Sequence, residues 1–258
     1  MVVAAPPGTL ERRFVLAQAL RVLGAGAGLI ALAPKDRGGT RVLAELEAFG
    51  CSVRESARRH HRICLCRRPD RPTDIGVAIT AGGPQWAPGL ELWSQPGVFS
   101  WDRLDPGTAL LIASAPSFSG RGADLGCGVG ALGRAVLSSE AITGLTFVDI
   151  DRRAIAAARR NVAEPRARFL HWDVRQANPS LADLDFVIMN PPFHEGGVQD
   201  RALGMEFIRA AAAMLKPGGV CHLVANDALP YERTLEQRFA TVTPLGRSGG
   251  YKLYEARR

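Results

Sequence analysis

The chain has 258 residues, of which 47% are hydrophobic and 22% charged, as is typical of folded globular proteins. The net charge of +7 comes from 32 lysines and arginines, nearly all arginine, against 25 acidic residues; it favours a polyanionic partner such as RNA or reflects an arginine-rich genome. An odd number of cysteines without zinc spacing, no signal-peptide pattern and no bilayer-length apolar run argue against secreted, metal-binding and membrane proteins, so we expect a cytoplasmic one.

The first 85 residues are predicted to form a small α/β domain. Helices are expected over 10–23 and 40–49, and strands over 28–33 and 62–66. Residues 69–97 are rich in proline and glycine, which indicates a connecting region with a hairpin built from 75–80 and 90–94. We therefore assign residues 1–85 to an N-terminal domain and residues 86–97 to a linker.

Strands and helices alternate from residue 98 to the end of the chain. Strands are predicted near 123–125, 145–149, 167–172, 186–189, 220–224, 241–245 and 251–255, and helices near 106–112, 131–138, 152–161, 202–215 and 231–239. This alternation predicts an α/β catalytic domain over 98–258, with a doubly wound, mostly parallel seven-stranded sheet and an antiparallel pair at its edge. Ligands of such sheets bind beyond the carboxyl ends of the strands.

A glycine-rich loop, Asp124-Leu125-Gly126-Cys127-Gly128-Val129-Gly130, follows the first of these strands. Glycines allow a tight turn and a close approach of a ligand, although the spacing is not that of the dinucleotide fingerprint. Asp149 ends the next strand, where a carboxylate can accept hydrogen bonds from ribose hydroxyls. Asp173 follows the third strand, where it can accept one from an adenine amine. Asp151 is interpreted as the N-cap of the next helix.

The loop and the two acids together resemble the class I S-adenosylmethionine-dependent methyltransferases. The resemblance implies that the loop wraps the methionine end of the cofactor, through Asp124, Gly126, Cys127, Gly128 and Gly130. It also implies that Asp149 holds the ribose and that Asp173, with Val174, marks the adenine. S-adenosylmethionine is therefore the expected cofactor, and no metal is expected.

The stretch Asn190-Pro191-Pro192-Phe193-His194 follows a predicted buried strand. Its two prolines make a stiff loop and hold Asn190 in an extended conformation. The Asn190 side-chain oxygen and the Pro191 carbonyl can accept both hydrogens of a planar amine, with Phe193 stacked on its ring. Because the sulfonium is an activated donor, positioning by these residues can supply most of the catalysis. A rigid structural turn is the alternative, and His194 either contacts the substrate or is structural.

The proline loop resembles the amino-methylating branch of the class I enzymes. Together with residues 97–100, 224–231 and 251–254, it resembles the ribosomal RNA guanine-N2 methyltransferases of the small-subunit type. This implies methyl transfer to a guanine N2 amine, a ribosomal RNA or ribosomal subunit as partner, and a degenerate methyltransferase-like domain over 1–85. Methylation of a protein glutamine or of adenine N6 stays open, as does a catalytically silent RNA-binding assembly protein.

The densest basic cluster is Arg58-Arg59-His60-His61-Arg62, followed by Arg67 and Arg68. It either contacts RNA phosphates, which would make binding depend on salt, or forms a solvated face of the domain.

Overall fold

The structure, a computed structural model, describes residues 1–192, 194, 195, 198, 199 and 201–258, with only the backbone described for 194, 195, 198, 199 and 201. The chain divides into two compact units. The N-terminal unit comprises Met1–Gln85 and Gln95–Gly97, and the C-terminal unit comprises Trp86–Ser94 and Val98–Arg258. The residues predicted as a linker are thus shared between the two units.

The N-terminal unit is built on a sheet with the strand order β1-β2-β4-β3. Its elements are β1 (Val2–Ala4), α1 (Thr9–Val22), β2 (Gly28–Pro34), α2 (Thr40–Ala48), β3 (Val53–Arg58), β4 (His61–Arg67) and α3 (Ile75–Gly82). Strand β1 is parallel to β2, whereas β4 is antiparallel to both of its neighbours. A buried ion pair, with Arg12 Nε 2.7 Å from Glu45 Oε2, joins α1 to α2.

The prediction of a strand over 75–80 is wrong, because these residues form helix α3. Their β-branched side chains favour a strand locally, but packing against α1 decides the conformation. Gly82 permits that packing, since a Cβ there would lie 2.4 Å from Phe14 Cβ. A two-stranded sheet does form nearby, between β5 (Gln85–Ala87) and β6 (Leu92–Ser94). Strands β1 and β3 escape prediction because one is very short and the other is polar.

The C-terminal unit continues with alternating helices and strands. They are α4 (Pro106–Ser114), β7 (Gly120–Leu125), α5 (Ala131–Val136), β8 (Ile142–Asp149), α6 (Arg152–Asn161), β9 (Ala167–His171), β10 (Leu184–Met189), β11 (His194–Glu195), β12 (Val198–Gln199), α7 (Arg201–Met214), β13 (Leu215–Asn226), α8 (Glu232–Arg238), β14 (Thr241–Ser248) and β15 (Tyr251–Arg257). Within the described residues, the predicted strands and helices of this unit all occur, with ends shifted by a few residues.

Seven strands form the main sheet in the order β14-β15-β13-β10-β7-β8-β9. The five strands from β13 to β9 are parallel, and β15 is antiparallel to both β13 and β14. The predicted doubly wound, mostly parallel sheet with an antiparallel edge pair is therefore confirmed. The strand order reverses between β7 and β10, and the loops after these two neighbouring strands meet at the ligand-binding edge of such a sheet.

Strand β10 is buried on both faces of the sheet, which explains its run of apolar residues. Val187 and Met189 pack into the hydrophobic core on one face of the sheet, and Phe186 and Ile188 pack into the core on the other. A strand covered on both faces has no polar side, so its side chains do not alternate in hydropathy. No helix in the described part of the chain is long and apolar enough to span a bilayer.

Candidate active site

The glycine-rich loop turns sharply between β7 and α5. Gly126, Gly128 and Gly130 have φ values of 71°, 53° and 87°, in the left-handed region that favours glycine. A Cβ on Gly128 would meet no atom within 4 Å, so the backbone there is open to a ligand. Cys127 instead packs its side chain into the core, where burial raises the pKa of its thiol. Of the Cys127 atoms, the backbone is therefore better placed than the sulfur to contact a cofactor.

Asp149 is joined to the glycine-rich loop by its carboxylate. Oδ2 accepts a hydrogen bond from Gly128 N at 2.9 Å, and Oδ1 accepts one from Asp151 N at 2.8 Å. Burial raises the pKa of the Asp149 carboxyl, and these two N–H groups oppose the shift. Asp151 caps helix α6 by accepting from Arg153 N at 2.8 Å, as predicted. The ribose assignment of Asp149 remains a prediction.

Asp124 lies beneath the loop and supports it from the buried side. It is 1% exposed, and its Oδ2 accepts a hydrogen bond from Gly133 N at 2.9 Å at the start of α5. Burial raises the pKa of Asp124 to about 7, although the bond from Gly133 opposes the shift. Asp124 lines a small cavity of about 50 Å³ with Asn190, next to the larger one described below.

The raised pKa of Asp124 predicts a pH-dependent stability. An acid with a higher pKa in the folded state than in the unfolded state binds its proton more tightly when the protein is folded. The contribution of Asp124 to the free energy of unfolding is therefore greatest below its ordinary pKa of 3.8, and it is lost as pH rises towards 7. Each unit of pKa shift corresponds to about 1.4 kcal/mol. Urea unfolding of the wild type and Asp124→Asn from pH 4 to 8 should show their difference in unfolding free energy falling up to about pH 7. A difference in unfolding free energy that stays constant from pH 4 to 8 would contradict the raised pKa of Asp124.

Asp173 is held by a neighbouring arginine. Arg175 Nε lies 2.9 Å from Asp173 Oδ1 and Arg175 Nη2 lies 2.8 Å from Oδ2, and Arg175 N donates to Oδ1 at 3.0 Å. This pairing lowers the pKa of the Asp173 carboxyl. Val174, next in the chain, is buried and packs with the main core. Arg175 thus sets the orientation of the Asp173 carboxylate.

Asn190 follows β10 and is held by two side chains of α4. Its Nδ2 donates to Asp105 Oδ1 at 2.8 Å and to Thr108 Oγ1 at 2.9 Å. Pro191 and Pro192 follow it and line the larger cavity. Phe193 lies outside the described residues, as does the side chain of His194, so the predicted stacking and substrate contacts of these two remain predictions.

A cavity of about 390 Å³ opens at the carboxyl ends of the strands, and we call it the main cavity. It brings together most of the predicted site residues, namely Gly126, Gly128, Asp149, Asp173, Val174, Asn190, Pro191 and Pro192. Cys127 lines only the smaller cavity. Gly130 lines neither; it is the N-cap of α5 and lies beside Ala158. Glycine backbone, three carboxylates and apolar walls in a space of this size suit a nucleoside-bearing ligand.

Further cavity residues were not predicted from the sequence. Phe99 and Ile150 are exposed apolar side chains on the wall, at 59% and 61% exposure, and Phe207 of α7 packs beside Gly126. A large apolar residue directly after the strand-ending Asp149 was the available signal for Ile150. Phe99 lies in a stretch noted only for its family resemblance. In the described part of the chain, no group of three or more His, Cys, Asp or Glu side chains could hold a metal.

Comparison with known proteins shows that the chain is similar to methyltransferases. A family model described as "Methyltransferase small domain" matches residues 89–255. "Ribosomal RNA small subunit methyltransferase C" of Pseudomonas aeruginosa (strain LESB58) is 32% identical over 239 residues, covering 90% of this chain and 71% of that protein. The protein of the same name from Hahella chejuensis (strain KCTC 2396) is 37% identical over 172 residues, 65% of this chain and 49% of its own length. The matched region thus spans about half of the Hahella relative.

A solved structure matches the whole chain. It is the T. thermophilus 16S rRNA N2 G1207 methyltransferase (RsmC) in complex with AdoMet and guanosine, with a TM-score of 0.83 and 28% identity, covering 100% of this chain and 72% of that one. The resemblance to class I methyltransferases, stated from the glycine-rich loop and the acids after the next two strands, is confirmed. The chain belongs to the methyltransferase small-domain family.

Proposed function

We propose that the chain transfers a methyl group from S-adenosylmethionine to the exocyclic N2 amine of a guanine in ribosomal RNA. The observation that carries the proposal is that Asn190, after β10, and Gly126 and Gly128, after β7, line one cavity. The end of β10 provides an acceptor for an amine, and the end of the neighbouring strand β7 provides the loop for the cofactor. The names of the curated relatives and the AdoMet and guanosine in the T. thermophilus structure support both assignments.

The residues of the main cavity fit S-adenosylmethionine. The open backbone at Gly128 leaves room for the methionine end. The Asp149 carboxylate accepts backbone N–H groups of Gly128, Asp151 and Ile150, and a carboxylate has about four lone-pair sites, so one is left that a ribose hydroxyl can use. We assign Asp173 and Val174 to the adenine, on the same cavity wall. Arg153 and Arg175 pair with Asp151 and Asp173, whereas Asp149 forms no ion pair among the described residues, so its carboxylate also favours a positively charged cofactor.

The acceptors after β10 compensate for the weak nucleophilicity of a base amine. Its lone pair is delocalised into the ring, and acceptance of its two hydrogens by Asn190 Oδ1 and the Pro191 carbonyl orients it for attack. S-adenosylmethionine supplies a methyl group activated by its sulfonium, so positioning can replace a strong base. The amine nitrogen forms the new N–C bond as the C–S bond breaks, its electron pair stays on sulfur, and the surplus proton leaves the nitrogen to water.

The target base has to leave its stack to reach Asn190, and an aromatic ring can replace the lost stacking. Phe193 was predicted to do this. Phe99 is a second candidate, because it is exposed and lines both cavities together with Asn190. We assign Phe99 to the entry of the extruded base.

The N-terminal unit offers a basic surface for RNA. The turn between β3 and β4 places Arg59 and His60 at φ values of 47° and 63°, a tight hairpin tip, and His60 O accepts a hydrogen bond from Lys35 N at 2.8 Å. Lys35, Arg58 and Arg59, which we call the basic turn, are exposed at this end of the small sheet, and no ion pair engages them among the described residues.

The other arginines of the predicted basic cluster are engaged within the protein. Arg62 pairs with Glu55 at 2.9 Å, whereas Arg67 and Arg68 donate to the backbone carbonyls of Gly26 and Leu20. We therefore propose the basic turn as the phosphate contact of the N-terminal unit. The strand–loop–helix succession of β2, residues 35–39 and α2 supports our proposal that residues 1–85 are a degenerate methyltransferase-like domain. A ribosomal substrate also implies a cytoplasmic location.

Neutralising the basic turn should weaken RNA binding in a salt-dependent manner. The double variant Arg58→Gln/Arg59→Gln is expected to lower RNA affinity at low salt and to reduce the slope of log K against log salt by up to about 2. The variant Arg233→Gln/Arg238→Gln, which removes equal charge from exposed positions of α8, is the matched control. Equal slopes for the two variants would indicate that the basic turn is only a solvated face.

A methyl-transfer assay tests the function itself. The protein is incubated with methyl-labelled S-adenosylmethionine and either deproteinised ribosomal RNA, intact small subunits or purified release factor, and labelled RNA is digested to nucleosides. We expect label in N2-methylguanosine. Label confined to protein, or to N6-methyladenosine, would refute the proposal, and the absence of S-adenosylmethionine binding by calorimetry would identify a silent RNA-binding protein.

A further inference from the structure

Both hydrogens of the Asn190 amide are used by the first turn of α4. They are donated to Asp105 Oδ1 and Thr108 Oγ1, at 2.8 and 2.9 Å. A carboxylate offers only acceptors, so the nitrogen of the amide, and not its oxygen, must face Asp105. The Asn190 oxygen is consequently the side-chain atom left for a ligand, and no donor to it is found among the residues that the structure describes.

Asp105 is itself held from two further sides. It caps α4, with its Oδ1 accepting from Thr108 N at 2.8 Å, and its Oδ2 lies 3.4 Å from the hydroxyl of Tyr251 at the start of β15. Gly107 leaves the space that Tyr251 occupies, since a Cβ there would lie 2.6 Å from Tyr251 Cε1. The carboxylate is buried, at 9% exposure of the residue, and so keeps one orientation towards Asn190.

We propose that Asp105 and Thr108 are positioning residues for methyl transfer, which fix Asn190 with its carbonyl oxygen towards the target amine. The inference rests on the proposed function, because it presumes that an amine is methylated. The two ends of an amide are similar in size and its terminal torsion is broad, so an unheld Asn190 could turn its NH2 group to the amine. The Asn190 NH2 group and the target amine, both hydrogen-bond donors, would then face each other, and the amine would lose the Asn190 oxygen as an acceptor.

The charge of Asp105 adds a second effect. Hydrogen bonds in a chain polarise one another, so a carboxylate bound to the NH2 end of an amide makes the oxygen at its other end a stronger acceptor. Positive charge develops on the amine nitrogen as the N–C bond forms. Asn190 thereby transmits the buried negative charge of Asp105 to the atom that becomes positive, without a contact between Asp105 and substrate.

Four variants separate orientation, charge and helix capping. Thr108→Val removes the hydroxyl at similar size and keeps the capped backbone N–H, and Thr108→Ser restores an acceptor. Asp105→Asn keeps an acceptor oxygen without the charge, and Asp105→Ser keeps a capping side chain that is too short to reach Asn190. In single-turnover assays we expect the rate to fall about 10-fold for Thr108→Val and Asp105→Asn and about 100-fold for Asp105→Ser, with Thr108→Ser near the wild type.

Two readouts distinguish positioning from a merely structural role. Affinity for S-adenosylmethionine and for RNA should stay within about twofold of the wild type, so that only the rate changes. In the Asn190→Ala background, adding Thr108→Val or Asp105→Ser should lower the rate no further, because both act through Asn190. A further loss there, or an unchanged rate in the single variants, would overturn the inference. A wild type that does not methylate guanine N2 would instead refute the proposed function.

Discussion

Replacing Asn190 by alanine should slow methyl transfer about 10²- to 10³-fold and leave S-adenosylmethionine binding nearly unchanged. The alanine variant loses the Asn190 oxygen, the side-chain acceptor proposed for the target amine; the neighbouring acceptors Asp105 Oδ1 and Thr108 Oγ1 face the Asn190 amide nitrogen instead. In the part of the chain that the structure describes, the proposed cofactor residues Gly128, Asp149 and Asp173 make no hydrogen bond to Asn190. Single-turnover methylation of guanine in ribosomal RNA measures the first effect, and calorimetry with S-adenosylmethionine measures the second.

A matched control isolates the acceptor from general effects of the substitution. Asn178 caps a short 3-10 turn that precedes β10, away from the proline loop that follows this strand, with its Oδ1 accepting from Ser180 N at 3.0 Å. Asn178→Ala therefore removes the same side chain at a place without a proposed catalytic role, and its rate should stay within a few-fold of the wild type. If Asn190→Ala transfers methyl groups as fast as Asn178→Ala, the mechanism proposed for the amine is wrong.

The position of the site was predictable because it depends on local patterns. The β10 run of apolar residues marks a buried strand, and two prolines mark where it ends. Asp149 was distinguished from Asp151 in the same way, as the residue that ends a strand rather than the one that caps a helix. The structure places their carboxylates accordingly. A pattern of this kind identifies the end of an element and therefore the edge of the sheet.

The contacts that hold the site residues in place were not predictable, because they join segments that are distant in the sequence. Asp105 directly precedes Pro106, a local pattern that indicates a helix N-cap, but nothing local indicates that it also binds Asn190 across 85 positions of the chain. Helix α3 shows the same limit, since its β-branched residues favour a strand until α1 packs against it. Burial, and hence the raised pKa of Asp124, likewise follows from the assembled sheet alone.

Replacing Asp149 by alanine should weaken S-adenosylmethionine binding about 10- to 100-fold, as expected for the loss of hydrogen bonds to a charged group. The carboxylate is proposed to bind the ribose, and it also holds Gly128 N, which lies in the loop expected to wrap the methionine end. Both effects act on the cofactor and neither on the amine acceptor. Saturating cofactor should therefore restore most of the methylation rate, in contrast to Asn190→Ala.

Asp151 provides a matched control for the effect of Asp149→Ala on cofactor affinity. It lines the same cavity two residues away, but its carboxylate caps α6 and pairs with Arg153 Nη2 at 2.7 Å. Asp151→Ala should lower the free energy of unfolding by about 1 kcal/mol through loss of the cap, with a much smaller change in cofactor affinity. Calorimetry and urea unfolding of both variants measure the two quantities. A larger loss of affinity in Asp151→Ala than in Asp149→Ala would assign the ribose to Asp151, and would move the cofactor towards the start of α6.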